Sequence, residues 1–233
     1  MNTVKGLLFD KDGTLFDFAA TWEAWAEAFL LRASGGDRVG AAQVGRAIGF
    51  DLATCKFDRN SIVIAGTPGE VVDALMPHFA GMTRNGLLDM LNEEASLAPQ
   101  REAVPLIPLL QGFRAQGLRL GVATNDAEAP ARAHLDGAGV TALFDFIAGF
   151  DSGHGGKPAP GQMLAFAHAV GLEPCQIAMI GDSTHDLHAG RAAGMTTIAV
   201  LTGPATQDEL APLADAILPD IGHLPEWLVG RIG

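Results

Sequence analysis

Hydrophobic positions along the chain follow two rhythms. Residues 4–9 form a short apolar run that stops at Asp10, the pattern of a short buried strand. Lys11-Asp12-Gly13-Thr14 follows with loop chemistry. Phe18, Trp22, Trp25, Ala26, Phe29 and Leu30 then recur at helical spacing, which predicts a helix over 18–32, stopped at Gly35-Gly36. Further helices are predicted over 40–48, 68–79 and 86–95. The helix at 68 has a strong start: Thr67 as N-cap, Pro68 in the first helical position and Glu70 three residues after the cap. Between 17 and 98, only residues 61–65 read as a strand.

After Pro99 the rhythm alternates. Helices are predicted over 105–116, 127–136, 160–170 and 184–193, and strands over 118–123, 146–148, 176–180, 196–201 and 215–218. Shorter helical segments fall near 208–213 and at the C-terminus. Strands alternating with helices imply an α/β fold, a doubly wound parallel sheet with helices on both faces. The strand at 4–9 belongs with this half by type. Residues 1–16 and 99–233 therefore read as one catalytic core, and 17–98 as a helical cap inserted after its first strand.

Composition narrows the function. Hydrophobic residues make up 48% of the 233, enough for a sizeable core. The net charge of -12 disfavours binding along a nucleic acid, and no basic patch offsets it. A phosphorylated metabolite would meet the same repulsion, so a phosphate site here needs a local cation, a lysine or backbone N–H groups. Cys55 and Cys175 fit no metal or redox spacing and read as buried free thiols. No apolar stretch approaches a bilayer span, and the N-terminus lacks a signal-peptide pattern. A soluble cytoplasmic protein is expected, as monomer or homodimer.

Ligands of open parallel sheets sit beyond the carboxyl ends of the strands. The first strand ends in Asp10-Lys11-Asp12-Gly13-Thr14, where one carboxylate can attack while the other shuttles a proton. Gly13 permits the sharp turn, and Thr14 adds a hydroxyl and an N–H. The strand at 118–123 ends in Thr124-Asn125-Asp126, two neutral donors and a residue suited to cap the next helix. Lys157 lies in a Gly- and Pro-stiffened loop as a fixed cation. Asp182 and Asp186, four apart where the strand at 176–180 enters a helix, suit a hard cation such as magnesium. Each set alone also reads as ordinary turn, cap or loop chemistry. Together they supply a nucleophile, phosphate donors, a cation and a metal site.

In this order the motifs resemble the haloacid dehalogenase superfamily of phosphohydrolases, and most closely its phosphoglycolate phosphatase-like branch. Phe9-Asp10-Lys11-Asp12-Gly13-Thr14-Leu15 resembles the first motif and Thr124-Asn125 the second. Lys157-Pro158 resembles the third, and Gly181-Asp182-Ser183-Thr184-His185-Asp186 the fourth. The insertion after the first motif resembles the C1-type cap. The resemblance implies that Asp10 forms an aspartyl-phosphate, Asp12 acts as acid and then base, and Thr124 and Lys157 hold the phosphoryl oxygens with help from Gly13, Thr14 and Asn125. It implies Mg²⁺ on Asp10, the carbonyl of Asp12 and Asp182, with Asp186 acting through water or by orienting Lys157. Within the family, dehalogenases lack the second aspartate and phosphonatases carry alanine there. Thr14 favours hydrolysis over the sugar phosphomutases, which often have valine. A small phosphorylated metabolite is the implied substrate. A catalytically idle binding protein with this fold is the alternative outside the enzymes, and the intact Asp-x-Asp speaks against it.

Other residues invite function. His185 and His188 could be metal ligands, though helix-surface positions suit them better, and His154 is near Lys157 in sequence. Phe18, Trp22 and Trp25 suit cap packing or a roof over the site. Lys56 and Arg59 are the cap cations that a small anionic substrate would want opposite Lys157.

Overall fold

In chain order the elements are β1 (Gly6–Phe9), α1 (Phe18–Ala33), α2 (Arg38–Gly45), β2 (Phe50–Asp51), β3 (Lys56–Phe57), α3 (Pro68–Leu75) and α4 (Arg84–Leu97). Then come α5 (Leu106–Ala115), β4 (Arg119–Ala123), α6 (Glu128–Gly137), β5 (Phe146–Ala148), α7 (Gly161–Val170), β6 (Ile177–Gly181) and α8 (Thr184–Ala193). The chain closes with β7 (Thr196–Val200), α9 (Gln207–Leu210), β8 (Ala216–Leu218) and α10 (Leu224–Leu228). This computed structural model describes residues 3–64 and 66–232.

Six strands form one parallel sheet in the order β5-β4-β1-β6-β7-β8. β1 lies between β4 and β6, so the strand order reverses there, where a doubly wound sheet opens its crevice. Alternation along β1 divides its side chains. Leu7 and Phe9 join the apolar cluster with α5, α6 and α10, while Leu8 joins that of α7 and α8. Both faces are covered, which explains why these strands read as nearly continuous apolar runs.

A separate cluster gathers the apolar side chains of α1, α2, α3 and α4. Within it Trp25 stacks on Phe29 with ring centroids 5.5 Å apart and donates its indole N–H to the Leu91 carbonyl at 3.2 Å. The start of α3 carries the expected capping box, with both reciprocal bonds between Thr67 and Glu70. Its α-helical part ends at Leu75, and Met76–His78 continues as a 3₁₀ turn containing Pro77, which has no N–H to extend the ladder.

Three local expectations are corrected. Ser61–Ile64 is a turn, because the N–H groups of Val63 and Ile64 bond back to Ser61 (Oγ at 3.2 Å, carbonyl at 3.1 Å); Ala65 lies outside the described residues. A two-stranded hairpin, β2 with β3, stands where no strand was expected. Cys55 is half-buried and Cys175, on the turn before β6, is exposed, so neither is a buried thiol. No described helix is long and apolar enough to cross a membrane.

Candidate active site

The candidate residues converge at the carboxyl edge of the sheet, around the end of β1. The Asp10 N–H donates to the Ile180 carbonyl at 2.8 Å, which extends the β1–β6 ladder into the site. Lys157 Nζ donates to Asp10 Oδ1 and to Asp186 Oδ1, each at 2.6 Å. Asp10, Asp182 and Asp186 are all buried and offer oxygens within 4.8 Å of one another. Burial, together with the charges of Asp186 and Asp12 and against that of Lys157, pushes the Asp10 carboxyl up to about 7. Burial and the charges of Asp10 and Asp186 push Asp182 well above the usual carboxylate range. Burial works against the Lys157 charge, but Asp10 and Asp186 outweigh it and hold its ammonium above its ordinary value. Three buried carboxylates facing one ammonium leave a negative charge that is costly to desolvate. An all-oxygen set of this kind fits a hard divalent cation.

Asp182 is crowded into place. Thr14 Oγ1 lies 3.5 Å from Asp182 Oδ1, and a Cβ on Gly13 or Gly203 would collide with its carboxyl group. Thr202 Oγ1 donates to the Gly13 carbonyl at 2.5 Å, pinning the loop after β7 onto the loop after β1. Thr202 and Gly203 escaped the sequence reading, although their position at a strand end was a usable signal. Gly13 and Thr14, of which substrate contacts were expected, thus stand beside Asp182 and are not among the residues lining the cleft. Asn125 accepts the Lys157 N–H at 2.7 Å and donates to the Lys157 carbonyl at 2.9 Å, so it fixes the lysine loop. The Lys157–Pro158 peptide is cis. Asp186 Oδ2 accepts from the Ser183 N–H and hydroxyl, at 3.0 and 2.6 Å, leaving Oδ1 to orient Lys157.

Between this edge and the helical unit lies a cavity of about 60 Å³. Asp10, Asp12, Thr124, Asn125, Lys157 and Asp182 line its floor. Phe18, Trp22 and Trp25 line its roof and belong to the helical unit's apolar cluster as well. His185 reaches the wall, His188 and His154 are exposed, and none of the three belongs to the buried carboxylate cluster. Lys56 pairs with Glu23 at 2.8 Å, and Arg59 lies 3.7 Å from Glu209 with its side chain 72% exposed. Neither cation lines this cavity, although Arg59 lines an adjoining groove with Ile64, Ser183 and His185.

The sequence reading also missed Lys11. Its side chain is fully buried, with Nζ 2.7 Å from Asp12 Oδ1, 3.3 Å from Asp126 Oδ2 and 2.9 Å from His134 Nδ1. The Trp22 ring lies over it at 5.4 Å. His134 Nε2 is 2.6 Å from the Ala95 carbonyl, so this nitrogen carries the ring proton and Nδ1 accepts from Lys11. Burial, with the Lys11 charge adding to it, lowers His134 to about 4. Burial raises Asp126 to about 6 against the pull of Lys11. Asp126 was expected to cap α6, but the N-cap is Ala127, and Asp151 accepts the Glu128 N–H at 2.8 Å instead.

A model of the haloacid dehalogenase-like hydrolases matches residues 4–194. The chain belongs to this hydrolase family. A phosphoglycolate phosphatase of Neisseria meningitidis is 31% identical over 231 residues, spanning 96% of this chain and 92% of that protein. A phosphoglycolate phosphatase of Rhodospirillum rubrum is 34% identical over 122 residues, which is 52% of this chain and about half (51%) of that protein. The solved structure of CbbY from Rhodobacter sphaeroides in complex with phosphate superposes with a TM-score of 0.69 at 22% identity, covering 95% of this chain and 96% of that one. This last likeness is one of fold.

Proposed function

We propose that the protein hydrolyses the phosphomonoester of a small metabolite, with Mg²⁺, through an aspartyl-phosphate on Asp10. One observation carries the reading. A buried Asp10–Lys157–Asp186 chain with Asp182 beside it closes one side of a cavity whose floor also carries Asp12.

In the first step a carboxylate oxygen of Asp10 bonds to phosphorus as the bond to the leaving oxygen breaks, and Asp12 gives that oxygen its proton. In the second step water attacks the same phosphorus, Asp12 takes its proton, and phosphate leaves Asp10 free. The Thr124 hydroxyl and the Lys157 ammonium hold the phosphoryl oxygens through both steps. Asn125 keeps Lys157 in position, and Thr14 and Gly13 do the same for Asp182. Asp10, the carbonyl of Asp12 and Asp182 would hold the cation, whose positive charge offsets that of the phosphoryl group. The helical unit at 17–98 serves as the cap over the core of 1–16 and 99–233.

The relatives make phosphoglycolate the reference compound. The test is phosphate release from a panel of phosphometabolites with Mg²⁺, with and without a chelator, and with Asp10→Asn as the blank. Release should require both the metal and Asp10. Turnover that survives in Asp10→Asn would refute the mechanism.

A further inference from the structure

The roof of the cavity has a chemistry of its own. Phe18, Trp22, Val63, Ile64, Val71 and Leu91 face the catalytic floor. Among the described residues lining the cavity, Lys157 is the sole lysine or arginine, and it is committed to Asp10 and Asp186. The remaining wall group able to take a positive charge, His185, stands in the first turn of α8 on the core side.

Backbone donors of the described roof-loop residues are also occupied. The N–H groups of Val63 and Ile64 bond to Ser61, and that of Gly66 bonds to the Ile62 carbonyl at 2.9 Å. At the start of α3, Pro68 has no N–H, and the Thr67 N–H is held by the Glu70 carboxylate at 2.7 Å. That carboxylate brings negative charge to the helix end where an anion would otherwise be welcome. A further buried lysine, Lys11, lies under the Trp22 ring, but Asp12, Asp126 and His134 engage it. Lys56 is held by Glu23, while Arg59, 3.7 Å from an exposed Glu209, lines the adjoining grooves rather than this cavity.

A carboxylate on the leaving group would therefore meet mainly apolar side chains, with the indole N–H of Trp22 as the one neutral side-chain donor among the described roof residues that no protein group engages, and would lose more hydration than it regains. An isolated charge in such a place is strongly disfavoured. An uncharged apolar group would cover the same wall at a gain proportional to its area. Resting on the phosphatase reading above, we infer that the substrate is the monophosphate of an uncharged alcohol whose carbon skeleton packs against the Phe18–Trp22–Ile64 roof. It is not the phosphate ester of a hydroxy acid, so this chain departs from its phosphoglycolate-cleaving relatives in what it selects.

Matched pairs test the inference: isobutyl phosphate against phosphoglycolate, and 4-isopropylphenyl phosphate against 4-carboxyphenyl phosphate. The members of each pair are close in shape and differ in charge, and in both the carboxylated member has the better leaving group. The expected kcat/KM is higher for the uncharged member of both pairs, by at least about tenfold. Ile64→Arg, at a half-buried loop position, should shrink both ratios by about tenfold, because it supplies the missing charged partner. Equal or reversed ratios in the wild type, or ratios unmoved in Ile64→Arg, overturn the inference while leaving the phosphatase reading intact. Failure to hydrolyse any of the four compounds, or turnover persisting in Asp10→Asn, overturns the phosphatase reading and the inference with it.

Discussion

Replacing Lys11 with methionine tests whether the buried charge cluster under Trp22 is a structural keystone. Methionine keeps most of the apolar stem and removes the ammonium. Three neighbours then lose a partner at 2.7 to 3.3 Å: Asp12, Asp126 and His134 Nδ1. Breaking a buried pair from one side costs about 3–5 kcal/mol. For a protein of this size that corresponds to a fall in melting temperature of about 6–20 °C. The loss should also depend on pH. Burial already raises Asp126 to about 6 in the presence of Lys11, which lowers it, so the variant should raise it further. With a raised folded pKa, the native state binds the extra proton between the unfolded value near 3.9 and the folded one. The deficit of the variant is therefore full above the new folded pKa and shrinks as pH falls through it. Differential scanning calorimetry of both proteins from pH 8 to pH 5 would show the gap narrow. Adding Asp126→Leu should restore part of the loss, because it removes the orphaned charge. A fall below about 2 °C, or a gap that does not change with pH, would refute the argument.

Lys157→Met should lower kcat by at least about a hundredfold, measured as phosphate release, because it removes a charged donor from both Asp10 and the phosphoryl group. Gly203→Ala should push the Asp182 carboxylate aside, and isothermal titration should then show Mg²⁺ binding weakened by about tenfold or more. His134→Gln should remove an acid sensitivity. With its folded pKa lowered to about 4, His134 contributes stability that is full above the unfolded value near 6.5 and is lost as pH falls toward 4, on the order of 3 kcal/mol across that window. Denaturant titrations at pH 7 and pH 4.5 should show a smaller pH difference in the variant than in the wild type.

The parts of the site that sequence displayed were those fixed by backbone position. Asp10, Thr124 and Asp182 follow strands whose apolar runs end abruptly, so their meeting at one edge follows from a parallel sheet. Lys157 stood out because glycines and prolines restrict its loop. Where a long side chain points is a different matter, since partners far along the chain decide it. Lys11 turns inward because His134 and Asp126, more than a hundred residues away, await it; Lys56 pairs with Glu23 and Arg59 lies toward Glu209, neither lining the cavity. Thr14 was expected at the substrate and instead stands beside Asp182, which only the docking of the loops after β1 and β7 could decide. The β2–β3 hairpin was invisible because strands of two residues have no period to read. Residues 61–64 misled because Ser61 satisfies the local backbone that a strand would leave open.

The central place of β1 has a consequence for how motion is distributed around the chemistry. Leu7, Leu8 and Phe9 have no solvent exposure, and the Asp10 amide is tied to β6. Slow proton exchange with solvent water is expected for such amides, because they open only when the whole core does. Lys157 and the roof residues Val63 and Ile64 sit on connecting segments, which open at far lower cost. Isotope labelling should thus find the Asp10 amide among the last to exchange and the Val63–Ile64 turn among the first. The enzyme would keep its attacking atom in the most rigid part of the molecule and let the groups that gather around it move.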